Sequence, residues 1–597
     1  MRVRRLYSNE DTVFEPIVFN RGLSAVVAEI RRPSNRMLDT HNLGKSTVGQ
    51  LLDYCLLKGK NRNFFLFRED VFADFSFFLE LELSSGQFLT IGRPVSPGTR
   101  VWIKRSRTSI ERIDLMEDPA WDHEAVAFET AKALFNGIVD IQSLKPYPFR
   151  KLVGYLIRSQ RDYLDVFQLG KFSGKHQDWK PFVALLLGLD GPMVRSSYDK
   201  REELAPAEGH LRAVLTEWGS EAQDSSTLDG LIAVKRRNLE AKAAVLQSFN
   251  FREEDARVAT SLVEGIDSEI TSLNEEAYGL LQLERRLAQS LVGEQILFRP
   301  DRAERLFREA DVELGTQVKR SFNQLLAFNR AITAERHELL KTQLDEVRER
   351  LGQVRIELAQ LNRRRAEQLA FLRGSDALAK FVDLSNEVSE LRAELVLLDG
   401  RREAASRVAE LRRETRALQE EHGQLVSSVE SAIESVSKNE DSRFARLRQF
   451  FGEIIFDVLG QNAILALHMN QQGGLEFTAE FVGDGGTATS GDRGTSYKKL
   501  MCVAFDLAML RTFLDQPFPR FVYHDGALEQ LEPRKRDKLL QVFREYAALG
   551  LQPVISVLDS ELPAPVGSSH TTLSEAEVVV TLHDEGADGR LFKMPSW

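Results

Sequence analysis

The sequence predicts an α/β fold built from an N-terminal and a C-terminal lobe, with a long antiparallel α-helical coiled coil inserted between them. Three observations carry this expectation. Strand- and helix-sized apolar runs occupy both ends of the chain, a heptad-patterned tract fills the middle, and a Gly-Lys-Ser-Thr loop joins a strand to a helix near the start.

The N-terminal lobe is expected over residues 1–225. Its clearest hairpin runs from Leu79 to Ile91: Leu79, Leu81 and Leu83 alternate with Glu80 and Glu82, Ser84-Ser85-Gly86 turns the chain, and Phe88 to Ile91 returns. Over 226–440 proline is confined to Pro300 and the residues Glu, Arg, Leu, Ala and Gln dominate. Leu340, Leu344, Val347, Leu351, Val354, Leu358 and Leu361 follow an alternating four-three spacing, which is an a/d seam. The register recurs in Leu384, Val388, Leu391, Leu395 and Leu398, in Val408, Leu411, Leu418, Leu425 and Val429, and earlier in Ile266, Ile270, Leu273, Ala277, Leu280 and Leu287. An elbow is expected near 293–325, around Arg299-Pro300-Asp301, and an antiparallel return near 374, where Gly374-Ser375-Asp376 breaks the helix. The C-terminal lobe, 441–597, reads as a hairpin (Ile464 to Met469 with Leu475 to Phe481), a Gly/Ser/Thr-rich loop, a helix, an apolar strand, a second helix, a strand from Pro553 to Leu558, and a last hairpin at Val578 to Leu582.

Bulk properties narrow the class. At 597 residues the chain exceeds one core. Hydrophobic residues make up 43% and charged residues 28%, and the net charge of -10 argues against a generally basic nucleic-acid coat. Cys55 and Cys502 stand far apart, which excludes a disulfide framework and fits a reducing cytosol. No apolar stretch follows the basic Met1 to Arg5, so no signal peptide is expected. No apolar run approaches the roughly 18 residues of a membrane helix. A cytoplasmic protein without a membrane partner is the expectation.

The sharpest motif is Asn42-Leu43-Gly44-Lys45-Ser46-Thr47, between the apolar strand Leu23 to Ile30 and the amphipathic helix Val48 to Leu57. In that context backbone N–H groups and the helix N-terminus face phosphates, Lys45 reaches the outer phosphates, and the Ser46 hydroxyl ligates magnesium. Asp39 stands where the pattern has its first glycine; Asp also tolerates left-handed backbone. The bland alternative is an ordinary helix start capped by Ser46 or Thr47. Far along the chain, Phe521-Val522-Tyr523 delivers His524-Asp525-Gly526, and an aspartate at a strand's C-terminal end suits magnesium. Before it, Ser490-Gly491-Asp492-Arg493-Gly494-Thr495-Ser496 opens a helix from Tyr497 to Phe513, again an anion-binding arrangement.

Taken together these segments resemble ABC ATPases of the SMC, RecN and RecF class. The likeness is greatest to the bacterial SMC-like family with a degenerate Asn-Leu-Gly-Lys-Ser/Thr loop found in ABC three-component conflict systems. The resemblance spans the chain and implies an ABC-type ATPase head with ATP and Mg2+ as cofactors. It places Asn42, Gly44, Lys45, Ser46 and Thr47 at the phosphates, Ser46 and Asp525 on magnesium, and Asp525 with His524 in the catalytic role. Gln160, after the apolar segment Leu152 to Ile157, is the expected water- and magnesium-contacting glutamine, with Gln168 the alternative. Ser490, Gly494 and Ser496 would meet the γ-phosphate of an opposing head, the choice between the two serines being open. The implied partners are a second copy in a head-head homodimer, DNA, and the effector and accessory subunits of an anti-phage or anti-plasmid defence complex.

Departures from the family's pattern matter. Gly526 stands where the class has a glutamate acting as general base, so His524, Glu529 or Glu532 substitutes, or hydrolysis is slow. The signature loop lacks a Leu-Ser-Gly-Gly run, and Asp559-Ser560 replaces the switch histidine. The heptad tract has no cysteine, which excludes a zinc-clasped apex. Two basic clusters, Lys104-Arg105-Ser106-Arg107 and Lys58-Gly59-Lys60-Asn61-Arg62, read either as DNA-phosphate contacts or as solvated turns. A nucleotide-gated scaffold that barely hydrolyses ATP is the second functional expectation.

Overall fold

A computed structural model describes residues 1–32, 43–61, 64–68, 70–170, 174–218, 225–249, 253–293, 316–368, 370, 376–483, 495–562 and 573–595. The chain divides into two compact units: Met1–Glu202 with Glu421–Trp597, and Glu203–Glu420. The first brings the two chain ends together in one α/β body.

Its strands are β1 Arg2–Ser8, β2 Ile17–Val18, β3 Ser24–Glu29, β4 Ser76–Glu82, β5 Phe88–Pro94, β6 Arg100–Ser106, β7 His123–Ala127, β8 Ile157–Arg158, β9 Asn462–Met469, β10 Leu475–Val482, β11 Phe521–Asp525, β12 Gln552–Leu558 and β13 Val578–His583. An antiparallel sheet in the order β2-β1-β4-β5-β6-β7 comes from the N-terminal part alone, and β9 pairs with β10 as a separate hairpin. The expected Leu79/Ile91 hairpin is β4–β5, with those two residues in register. The central sheet has the order β13-β3-β12-β11-β8 and every pairing in it is parallel. Two of its strands come from before the helical insertion and three from after it. β3 and β11 are buried on both faces, as strands inside a covered parallel sheet are.

Among the described residues, the last hairpin expected at Val578 to Leu582 is not found. This stretch is β13, lying parallel beside β3. A run of β-branched valines specifies a strand but not its partner or direction.

Helix α1, Lys45–Cys55, touches strands of both sheets and buries Val48, Leu51, Leu52, Tyr54 and Cys55. Gln552 stitches the sheets together, accepting from the Val3 N–H at 2.9 Å and donating to the Val3 carbonyl at 2.7 Å.

The second unit consists of long helices that pair antiparallel. Helix Glu253–Gly293 runs against Thr316–Gln368 through Arg348–Glu284, Arg350–Glu276 and Arg365–Asp267. Helix Ser225–Gln247 runs against Asp376–Lys438 through Arg402–Asp229, Lys235–Glu394 and Lys242–Glu387. Heptad residues Ile266, Ile270, Leu344, Val347, Leu351, Val354, Val388 and Leu395 are buried, as the seam demands. Residues 294–315 of the expected elbow and 371–375 of the expected return lie outside the described residues. Among the described residues, no helix is long and apolar enough to cross a membrane.

Candidate functional site

All strands of the central sheet point the same way, so β3, β8, β11 and β12 end on one edge. Ligands of open parallel sheets bind outside the carboxyl ends of the strands, and that edge is where the candidate residues collect.

Gly44 opens α1 in the left-handed region, φ 98° and ψ 11°. A side chain there would be strained by the backbone and would meet Leu591 Cβ at 2.7 Å. The Thr47 N–H donates to the Gly44 carbonyl at 3.0 Å, closing the first turn. The first turn carries no acidic side chain of its own, and an N-terminal helix turn is a site that favours an anion. Lys45 is held from behind as well, because the Tyr523 hydroxyl donates to its carbonyl at 2.8 Å. Gly49, one turn on, lets the Tyr523 ring approach; a Cβ there would stand 2.3 Å from Cε1.

The β11 pleat then decides which side chains face α1. Tyr523 and Asp525 do, and His524, between them, does not. Asp525 is 2% exposed and accepts from Ser556 Oγ at 2.6 Å and from Ser46. Burial pushes its carboxyl above the ordinary range, a tendency that Ser556, Ser46 and Lys45 oppose. His524 is fully buried on the other face, its Nε2 3.1 Å from Asp506 Oδ2. Asp506 in turn takes a two-pronged ion pair from Arg158 of β8. His524 therefore joins the ion pair beneath the sheet, apart from the cluster at Lys45.

Glu529, after the turn at Gly526, holds that cluster together. Lys45 Nζ donates to its Oε1 at 3.0 Å, Gln160 Nε2 to the same oxygen at 2.9 Å, and Lys499 Nζ to Oε2 at 3.1 Å. Burial pushes the Glu529 carboxyl up, but the charges of Lys499 and then Lys45, with their hydrogen bonds, outweigh it and hold the group below its usual range. Glu532 stands at the start of helix Pro533–Ala548, largely exposed and paired with Lys535.

Gln160 follows β8 at the start of a short 3₁₀ turn, Gln160–Tyr163, which Ser159 and Asp162 close as a capping box. Arg158 pins this loop from inside, donating to the carbonyls of Asp162 at 2.8 Å and Val166 at 2.7 Å. Gln168 is half-buried, its N–H donating to Asp165 Oδ1.

The structure thus brings Lys45, Ser46, Gln160 and Asp525 together, with Gly44 and Thr47 in the adjoining turn, and leaves His524 out. Asn42, Ser490 and Gly494 lie outside the described residues, as does Asp39. Ser496 sits in the first turn of helix Thr495–Thr512, three residues before Lys499. Lys499 was missed by sequence reasoning. The signal for it was a lysine opening the apolar run Leu500-Met501-Cys502-Val503-Ala504-Phe505, a helix that had to be buried.

The two basic clusters are partly engaged within the chain. Lys104 pairs with Asp122, Lys58 with Asp53 at 2.9 Å, and Lys60 Nζ lies 5.1 Å from the Phe67 ring centroid. Among the described residues no three His, Cys, Asp or Glu side chains group to hold a metal. A divalent ion at this edge would take oxygen from Ser46 and Asp525 and complete its shell with water and phosphate. Those hard oxygen donors suit magnesium.

Residues 454–596, the stretch carrying Lys499, Asp525 and Glu529, match a family model described as an uncharacterised protein conserved in bacteria (DUF2326). No curated protein sequence matches the chain. Among solved structures the chain is similar to the Smc head domain with a coiled coil and joint from Pyrococcus yayanosii, at 15% identity over 93% of this chain and 92% of that one, TM-score 0.32. It is also similar to the Smc head domain with an extended coiled coil, bound to the C-terminal domain of ScpA, from Pyrococcus furiosus, at 9% identity over 94% and 90% of the two chains, TM-score 0.30.

Proposed function

We propose that this chain is an SMC-like ATPase of the ABC type, which binds ATP at the edge formed by α1, β8 and β11 and turns it over. One observation carries the reading. Lys45, Ser46, Gln160, Asp525 and Glu529, from segments up to 484 residues apart, converge at the carboxyl ends of parallel strands beside the N-terminus of α1. Lys45 and the α1 amides grip the outer phosphates, while Ser46 and Asp525 hold magnesium, which when bound would neutralise charge on the phosphates. Gln160 orients water. Two heads closing over ATP, with Ser490, Gly494 or Ser496 of each reaching the other's nucleotide, completes the site. The working setting is a cytoplasmic defence complex that engages DNA and signals to an effector subunit.

Equilibrium binding of a non-hydrolysable ATP analogue tests this. Lys45→Ala should weaken binding by about 10- to 100-fold, the loss of a charged hydrogen bond of about 1.5–3 kcal/mol. Wild-type protein that binds no analogue with magnesium present would sink the reading. DNA engagement should weaken steeply with salt; a salt-independent interaction, or none, removes that part.

A second reading, a nucleotide-gated scaffold with very slow turnover, is favoured by Gly526, which puts no carboxylate directly after Asp525. Single-turnover phosphate release with enzyme in excess separates the two. Measurable release abolished by Asp525→Ala excludes the scaffold.

A further inference from the structure

Resting on the ATPase reading, we propose that Glu529 is the general base of this site and that Lys499 is the positioning residue that keeps it in place when Lys45 turns to the nucleotide.

The geometry of Gly526 carries the first half. Its backbone is left-handed, φ 66°, and the space beside its Cα is filled by the Glu529 carboxylate: a Cβ on Gly526 would lie 2.4 Å from Glu529 Cδ and 2.5 Å from Oε1. The turn folds Glu529 back so that its carboxyl occupies the place of a side chain on the residue after Asp525. The Gly526 N–H is bound to Ser556, which also holds Asp525, so the turn and the acidic strand end are one hydrogen-bonded unit. The other two acid-base candidates stand elsewhere, His524 under the sheet and Glu532 exposed at a helix start.

The second half follows from counting cations. Lys45 Nζ and Lys499 Nζ now share one carboxylate. Lys45 belongs to the phosphate loop, and a bound triphosphate competes for its charge. A carboxylate losing that partner next to incoming phosphate charge would be repelled. Lys499 is tied differently. It is 8% exposed, it donates to the Gly526 carbonyl at 2.9 Å, and its Nζ lies 5.3 Å from the Tyr163 ring centroid, so it is fixed to the protein on every side. It keeps Glu529 anchored through Oε2 and leaves Oε1, the oxygen shared by Lys45 and Gln160, to face water.

In the step so assigned, Glu529 takes a proton from water as the water oxygen bonds to the γ-phosphorus. The bond from that phosphorus to the β–γ bridging oxygen breaks, its electron pair leaves with ADP, and the proton on Glu529 passes to solvent.

The test uses the full chain with MgATP. Glu529→Gln should keep analogue affinity within about threefold while kcat falls by about 10² or more, the usual worth of a general base. Lys499→Met should lower kcat about tenfold or more with affinity kept, and Lys499→Arg should recover a large part of it. A merely structural lysine would move melting temperature and affinity together and show no such split. Wild-type turnover in Glu529→Gln, or in a folded Lys499→Met, overturns the proposal and leaves the ATPase reading standing. Wild-type protein that binds the analogue but releases no phosphate in a single turnover also overturns it. Failure of wild type to bind the analogue at all takes both down.

Discussion

Arg158 and Asp506 form a fully buried ion pair, Nε to Oδ2 at 2.6 Å and Nη2 to Oδ1 at 3.0 Å, from which His524 and the Gln160 loop both hang. It joins β8, β11 and helix Thr495–Thr512; Gln160 follows the first of these, and Asp525 and Lys499 lie on the other two.

Removing one partner should therefore be costly. Arg158→Met leaves Asp506 buried without its guanidinium and frees the carbonyls of Asp162 and Val166, a loss of about 3–5 kcal/mol. Adding Asp506→Leu should recover part of it. Chemical denaturation followed by tryptophan fluorescence reads this out; a single variant as stable as wild type would contradict it.

Gly49 lets Tyr523 reach Lys45. In Gly49→Ala the new methyl meets the Tyr523 ring, 2.3 Å from Cε1, and overpacking of that kind costs about 1–3 kcal/mol. Tyr523→Phe, which loses only the hydroxyl bond to the Lys45 carbonyl, should cost about 0.5–1.5 kcal/mol. Melting temperatures in that order are expected, with analogue affinity falling in Gly49→Ala.

Asp525 should weaken the nucleotide-free fold at neutral pH. Its folded pKa is raised by burial, so the protonated form is favoured on folding; that contribution is full below the ordinary carboxylate value and is lost as pH rises through the raised one. Asp525→Asn should accordingly raise the melting temperature at pH 7, and the gain should shrink as pH falls. An unchanged or lower melting temperature at pH 7 counts against it.

Arg365, fully buried in the helical unit, donates to Asp267 at 2.7 Å and to Asn362 at 2.8 Å and also binds Asn386. Asp267 accepts from Ser385 at 2.8 Å, so the node ties three helices. Arg365→Ala should destabilise that unit by about 1.5–3 kcal/mol, seen as an earlier loss of helical circular dichroism, with ATP-analogue affinity unchanged.

What could be read in the sequence was local. The α1 loop around Lys45, the strand ending in Asp525, the β4–β5 and β9–β10 hairpins and the heptad seams all declare themselves through period and neighbours, because pleat, helical turn and caps act over a few residues. The α/β fold with a helical insertion followed from those segments. Pleat parity alone would have shown that His524 and Asp525 face opposite ways.

Partnership was decided only in three dimensions. That β13 lies parallel to β3, that β8 joins the sheet with only Ile157–Arg158, and that Lys499 and Gln160 meet Lys45 on Glu529 all depend on contacts between segments hundreds of residues apart. No periodicity reports which buried lysine finds which carboxylate. That pairing is set by packing and by the need of each desolvated charge for a partner, and here it places Glu529 beside a glycine that has no side chain of its own.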